Sequence, residues 1–224
     1  MPRLPFITFE GSEGSGKSTQ ADRLAAHLQR CDILYVLTRE PGGTPIGESI
    51  RDLLQFAPHN SGMTPETELL LFEASRSQLV REIIKPALER GMCVIADRFF
   101  DSTTVYQGAA RMLDRKMIEC FNEFAVGDCI PDITIVLDVD ASTAESRMRH
   151  ERRKADRMEQ QSPEFYERVR EGYRELAKRE PDRIILIDGS QDADAIENEI
   201  WKKLSSHFAV FEKTPNIEHR ISND

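Results

Sequence analysis

Long apolar runs are missing from this chain. No stretch approaches the roughly 20 residues that cross a bilayer, so no membrane-spanning helix is expected. The opening segment, residues 1–11, holds too short an apolar run for a secretory leader. Cysteine is scarce: Cys31, Cys93, Cys120 and Cys129 form no C-x-x-C pair and have no metal-ligand spacing. They read as reduced thiols, some of them buried, in a cytoplasmic protein. Positive charge is in deficit as well. A net charge of −9 leaves no field to gather a polyphosphate backbone, which argues against broad nucleic-acid binding. Internal repeats and low-complexity segments are also absent.

What remains is the make-up of an ordinary soluble globular domain, in a 224-residue chain long enough to bury a real core. Short runs rich in Val and Ile, without polar alternation, alternate with longer amphipathic patterns. The runs are Phe6–Phe9, Ile33–Leu37, Met92–Ala96, Ile133–Leu137 and Ile184–Ile187. Helices are predicted over 17–30, 44–55, 65–90, 101–126, 141–152, 163–179 and 192–207. Unalternating strands suit a parallel sheet covered on both faces, so the fold class is α/β, doubly wound, with helices on either side of a five-stranded sheet. Ligands in such folds sit beyond the carboxyl ends of the strands. Glu10, Thr38-Arg39, Asp97-Arg98 and Asp138 fall at those ends, although the apolar residues alone define the strands.

The first of these ends opens a phosphate loop. Residues Gly11, Ser12, Glu13, Gly14, Ser15, Gly16, Lys17 and Ser18 match G-x-x-x-x-G-K-[ST], after an apolar strand and before an amphipathic helix. The glycines let the backbone amides turn inward on a β-phosphate. Lys17 is predicted to reach the β- and γ-phosphates, the Ser18 hydroxyl to ligate Mg²⁺, and the helix start at Lys17–Thr19 to add its positive end. The loop does not by itself separate kinases from switches and motors. No N-K-x-D guanine-reading motif is present, and no apolar strand ends in an Asp-Glu pair. The third strand ends instead in Asp97-Arg98. That carboxylate can hold a water on Mg²⁺, and the arginine can bind a second phosphate group.

Five segments together resemble the thymidylate kinase family, and the likeness runs from about Leu4 to His207. They are Glu10-Gly-x-x-Gly-x-Gly-Lys17, Thr38-Arg-Glu-Pro-Gly-Gly-Thr44, Phe72-x-x-x-Arg76, Asp97-Arg98 and Ser102-Thr-x-x-Tyr106-Gln107-Gly108. The resemblance implies a three-layer P-loop fold with strand order 2-3-1-4-5. It implies transfer of the ATP γ-phosphoryl group to thymidine monophosphate, with Mg²⁺, for dTTP synthesis. A homodimer is implied too.

Phe72 and Arg76 stand one helical turn apart and so share a face. The resemblance makes Phe72 a stacking partner of the pyrimidine and Arg76 a donor to the thymine carbonyl. It makes Arg98 and Arg51 ligands of the acceptor phosphate, and Tyr106 a residue that crowds the sugar 2′ position. Ser102, Thr103 and Gln107 would flank the nucleotide, Arg39 and Pro41 would shape its pocket, and Glu13 would sit near its sugar and phosphate. The basic run Arg147, Arg149, Arg152, Arg153, Lys154 and Arg157 lies where the family carries a lid over ATP. Family members with an acidic phosphate loop draw a catalytic arginine from that lid. Arg152 or Arg153 would serve, with Arg147 at the stem. Residues 1–207 then form one kinase domain with a lid at about 147–160, and 208–224 a loosely attached tail. Two alternatives stay open on the residues alone: a small P-loop kinase for another acceptor, and a nucleotide-dependent switch without a small-molecule acceptor.

Overall fold

A computed structural model of the chain describes residues 4–58, 60–150, 157 and 161–212. Five parallel strands form one sheet: β1 (Phe6–Glu10), β2 (Tyr35–Arg39), β3 (Cys93–Asp97), β4 (Ile133–Asp138) and β5 (Ile184–Asp188), in the order β2-β3-β1-β4-β5. Register aligns their carboxyl ends. Phe9 and Arg39 both face Asp97, Glu10 faces Val136, and Asp138 faces Asp188. The polar strand ends expected from sequence therefore share one edge of the sheet.

Among the described residues ten α-helices surround it: α1 (Lys17–Arg30), α2 (Pro45–Gln55), α3 (Pro65–Leu79), α4 (Lys85–Glu89), α5 (Phe100–Thr103), α6 (Arg115–Val126), α7 (Ala141–His150), α8 (Pro163–Arg179), α9 (Ala193–His207) and α10 (Ala209–Glu212). π-helical turns over Val80–Ile84 and Thr104–Ala110 join α3 to α4 and extend α5. Three of the helices start alike. Thr44, Thr64 and Ser162 each accept a first-turn amide, from Gly47, Thr67 and Phe165, and each precedes a proline that needs no amide partner.

Alternate strand residues feed opposite cores. Ile7, Phe9, Ile95, Ile135 and Leu137 pack under α1 and α9, against Leu24, Leu28, Trp201 and Leu204. Phe6, Val94 and Ala96 face Leu79, Ile84 and Phe99 on the other side. Val136 and Ile184 meet Val105, Val169 and Tyr173 of the 104–110 segment and α8.

Three local expectations are corrected. The second strand runs two residues later than its apolar run, since its ladder to β3 pairs Tyr35 with Cys93 through to Arg39 with Asp97. The single helix expected over 101–126 is two. Met112 turns to φ 62°, and Asp114 Oδ1 then accepts Met117 N at 3.0 Å and starts α6 afresh. Past His207 the chain is not loose at once, for Phe211 is buried edge-on to Trp201 at 5.2 Å. The expected tail beyond Glu212 lies outside the described residues.

Candidate active site

The phosphate loop runs from the end of β1 into α1, and its backbone conformation explains its glycines. Gly11, Gly14 and Gly16 take φ values of 135°, 71° and 95°. A Cβ on Gly14 would stand 2.5 Å from the Ala144 carbonyl, so this turn admits no side chain. Gly16 is the N-cap of α1 and has no side chain to satisfy the first-turn amides. No acidic residue occupies that turn. The positive end of α1 is thus left for an anion.

Lys17 lies folded back in the loop, with Nζ donating to Ser12 O at 2.7 Å. Burial, with help from Arg98, pulls its ammonium pKa down to about 8. Ser18 Oγ donates to Asp97 Oδ2 at 2.5 Å, which ties the loop to the end of β3. These two hard oxygens are a fitting start for Mg²⁺, which takes few protein ligands and fills its shell from water and nucleotide phosphates. No group of three or more His, Cys, Asp or Glu poised for a metal occurs among the described residues.

Arg98 follows Asp97 in the left-handed region at φ 70°, an unusual setting for a residue with a side chain. That turn aims its guanidinium into the cleft. Nη1 donates to Gly11 O at 3.0 Å and Ser102 Oγ at 3.1 Å. Nη2 donates to Glu13 Oε1 at 2.8 Å and Tyr106 Oη at 3.1 Å. Tyr106 Oη in turn donates to Glu13 Oε2 at 2.8 Å, closing a triangle. Burial works against charge on Arg98, but Tyr106 and Glu13 hold its pKa above the usual value. Burial pushes the Tyr106 phenol well up, so it stays a neutral donor.

Beneath the triangle lies a second tier, of which sequence reasoning marked Glu10 only as a strand end and missed Tyr173. Buried Glu10 accepts Phe99 N at 2.8 Å and Ser102 N at 3.2 Å on one oxygen, and Ser102 Oγ at 2.6 Å and Tyr173 Oη at 2.7 Å on the other. Burial raises its pKa while Arg98, 3.9 Å away, opposes the rise. Tyr173 lies on the apolar face of α8, where nothing in the spacing separates it from a core aromatic.

One cleft of about 620 Å³ joins these groups. The phosphate loop and Arg147 line one side of it. Arg39, Pro41, Arg51, Phe72, Ser102, Thr103, Tyr106 and Gln107 line the other, with Asp97 and Arg98 also on its wall. Arg147 reaches Ser15 O and Gln191 O, each at 3.4 Å. Arg39 pairs with Glu48 at 2.9 Å, and Arg51 donates to Pro41 O at 2.9 Å. Sequence reasoning also passed over Glu40, Gln55 and Phe56, which line the same cleft.

Arg76 takes its donor role from the family resemblance, and its spacing from Phe72 gave only a shared helical face. It is 1% exposed and is not among the lining residues. Its guanidinium pairs with Glu40 at 2.7 Å and Glu73 at 2.6 Å, and donates to Thr103 Oγ1 at 3.0 Å and Asn122 Oδ1 at 3.2 Å. It meets the cleft through Thr103. Two carboxylates on one buried guanidinium leave the cluster short of positive charge. Burial lifts Glu40 to about 7 against the pull of Arg76. Of the basic run, Arg152, Arg153 and Lys154 lie outside the described residues. Arg157 is described, and it pairs with Glu68 of α3 at 2.5 Å.

Comparison with known proteins agrees with this geometry. The family model described as thymidylate kinase matches residues 9–200. A thymidylate kinase of Kosmotoga olearia is 49% identical over 199 residues, which are 88% of this chain and 94% of the relative. One from Symbiobacterium thermophilum is 48% identical over 87% of this chain and 90% of its own. The crystal structure of thymidylate kinase from Ehrlichia chaffeensis superposes with a TM-score of 0.74 at 39% identity, over 91% of this chain and 99% of that one. With the phosphate loop, the Asp97-Arg98 strand end and the strand order all in place, the chain belongs to the thymidylate kinase family.

Proposed function

We infer that this chain is an ATP-dependent thymidylate kinase, which transfers the γ-phosphoryl group of ATP to thymidine monophosphate and yields ADP and thymidine diphosphate for dTTP synthesis. The observation that carries this is the single cleft, with Lys17 and Ser18 at one end and Phe72, Tyr106 and Gln107 at the other, and Arg98 between them.

An oxygen of the acceptor phosphate attacks the γ-phosphorus in line. The bond from that phosphorus to the β–γ bridging oxygen breaks, and its electron pair leaves with ADP. The attacking oxygen is already ionised at neutral pH, so no general base is needed. Catalysis is then alignment and charge neutralisation. The loop amides and Lys17 hold the β- and γ-phosphates. Arg98 and Arg51 take the acceptor phosphate, for which it must compete with the Glu13 carboxylate on Arg98. Glu13 and Tyr106 then face the sugar, where the phenol crowds the 2′ position. Phe72 stacks on the base between Thr103 and Gln107, and Arg76 fixes Thr103 from behind. Ser18 and a water on Asp97 would hold Mg²⁺, which neutralises phosphate charge when bound. Arg147 lies on the donor side. The segment at about 147–160 is assigned as the lid of one kinase domain, with Arg152 or Arg153 as its catalytic arginine.

We assign the protein to the cytoplasm, where its four cysteines, none of them in a disulfide, stay reduced. We also assign it as a homodimer. Neighbouring helices α2, α3 and α6 expose Ile46, Leu53, Leu70, Met117 and Phe124, apolar side chains that a second copy would cover. The test of the activity is an acceptor panel of the five nucleoside monophosphates with ATP, read by product mass. Thymidine diphosphate should dominate. Preference for another acceptor would refute the substrate, and hydrolysis with no phosphorylated acceptor would refute the kinase.

A further inference from the structure

Glu68 stands in α3, one helical turn before Phe72, and no motif singled it out. It is buried, and three side chains converge on it. Gln107 Nε2 donates to its Oε1 at 2.8 Å. Arg111 donates to Oε1 at 3.2 Å and to Oε2 at 3.3 Å, and Arg157 pairs with Oε2 at 2.5 Å. Burial alone would lift the carboxyl, yet the two arginines hold it below its ordinary value. Glu68 is therefore a carboxylate, which accepts hydrogen bonds and donates none.

An amide placed between a carboxylate and a cleft has no freedom of orientation. Its NH₂ must face the carboxylate, and its carbonyl oxygen is left for whatever occupies the cleft. Gln107 is in that position, since it lines the cleft beside Phe72 and Tyr106. The geometry points to Glu68 as a positioning residue that sets the hydrogen-bonding polarity at the base end of the acceptor pocket. It locks Gln107 with Oε1 offered to the ligand. The matching ring carries an imide N–H, as pyrimidine-2,4-diones do. A cytosine ring presents an acceptor nitrogen at that position, and two acceptors repel. The inference rests on the kinase reading above and supplies the source of its base selectivity.

The test compares wild type, E68Q and the swap E68Q/Q107E, with the deoxy monophosphates of thymine, uracil and cytosine as acceptors at saturating ATP. In E68Q two facing amides can pair either way round, so the amide at 107 is free to flip. The ratio of kcat/KM for thymine over cytosine should fall at least about tenfold, the worth of one hydrogen bond, chiefly through a raised thymidylate KM. The ATP KM should hold. So should the thymine-to-uracil ratio, which the 5-methyl group decides. In the swap, the introduced amide at 68 donates to the introduced carboxylate at 107, which again presents an oxygen to the cleft and keeps a negative partner for Arg111 and Arg157. Most of the lost selectivity should return. The swap also stands as a test if E68Q alone fails to fold. An unchanged thymine-to-cytosine ratio in E68Q overturns the assignment, as does an equal loss for all three acceptors or a swap without recovery. Each of these leaves thymidylate kinase activity in the wild type standing. A wild type that does not phosphorylate thymidylate sinks both.

Discussion

Lys17 shows how a residue can be readable in type and not in state. Its place in G-x-x-x-x-G-K-[ST] is plain from sequence, and its chemistry follows. That its ammonium sits desolvated beside Arg98, with a pKa near 8, follows only from packing. The sign of the consequence can be worked out. The folded value lies below the usual 10.5, so between about 8 and 10.5 the folded protein binds fewer protons than the unfolded chain. Stability of the nucleotide-free enzyme should rise with pH across that window, and Lys17→Met should abolish the rise. Activity should move the opposite way, because the cation is needed for phosphate binding. We predict that kcat/KM for ATP falls above about pH 8 with a slope approaching one decade per unit. A profile flat to pH 9.5 or so would refute the role. Arg76 makes the complementary point. Its spacing from Phe72 marked a shared helical face, but spacing cannot tell a cleft-facing guanidinium from one claimed by Glu40 and Glu73 behind the wall.

At the scale of elements, the strands and most helices were legible because apolar period and cap chemistry agree with the tertiary fold. The Thr44-Pro45, Thr64-Pro65 and Ser162-Pro163 starts are local signals that the structure uses as such. The break at 111–114 was missed because apolar spacing continues across it, and Asp114 is a cap only once Met112 has turned. What α8 does was not legible at all. It is latched to the strand ends twice, by Arg170 and Arg174 on Asp138 at 2.7 and 2.8 Å and by Tyr173 on Glu10. The second latch braces Ser102 and, through it, Arg98. Tyr173→Phe should lower kcat/KM for the acceptor by about fivefold to tenfold, the worth of one buried hydrogen bond, with the ATP KM unmoved. Equal losses for both substrates would instead make Tyr173 a packing residue.

For the whole molecule, the arrangement that matters is one cleft at the carboxyl edge of the sheet, whose lining runs from the phosphate loop to Phe72 and Gln107 and includes Arg98. The apolar side chains left exposed on α2, α3 and α6 are the counterpart on the outside. If they meet a second copy, Leu70→Glu and Phe124→Glu together should halve the mass seen by light scattering at micromolar protein. Wild-type protein that is already monomeric there would remove the dimer. Most of the acceptor wall was predicted one residue at a time from the family likeness. Glu10 and Glu40 stood inside family segments with no role of their own and Glu68 and Tyr173 in none, and all four act by holding another residue.

The amino-acid sequence by itself determined the fold class, the donor loop and the family, since each is written in short-range patterns: apolar runs, glycines at a tight turn, and acid–base pairs at strand ends. Only the tertiary structure decided the state of Lys17, the withdrawal of Arg76, the reach of Tyr173 across to Glu10 and the grip of Glu68 on Gln107. Those depend on burial and on partners far apart in the chain, such as Glu10 and Tyr173, 163 residues from one another. Charge, desolvation and amide orientation are properties of an assembled neighbourhood, and no local spacing encodes them.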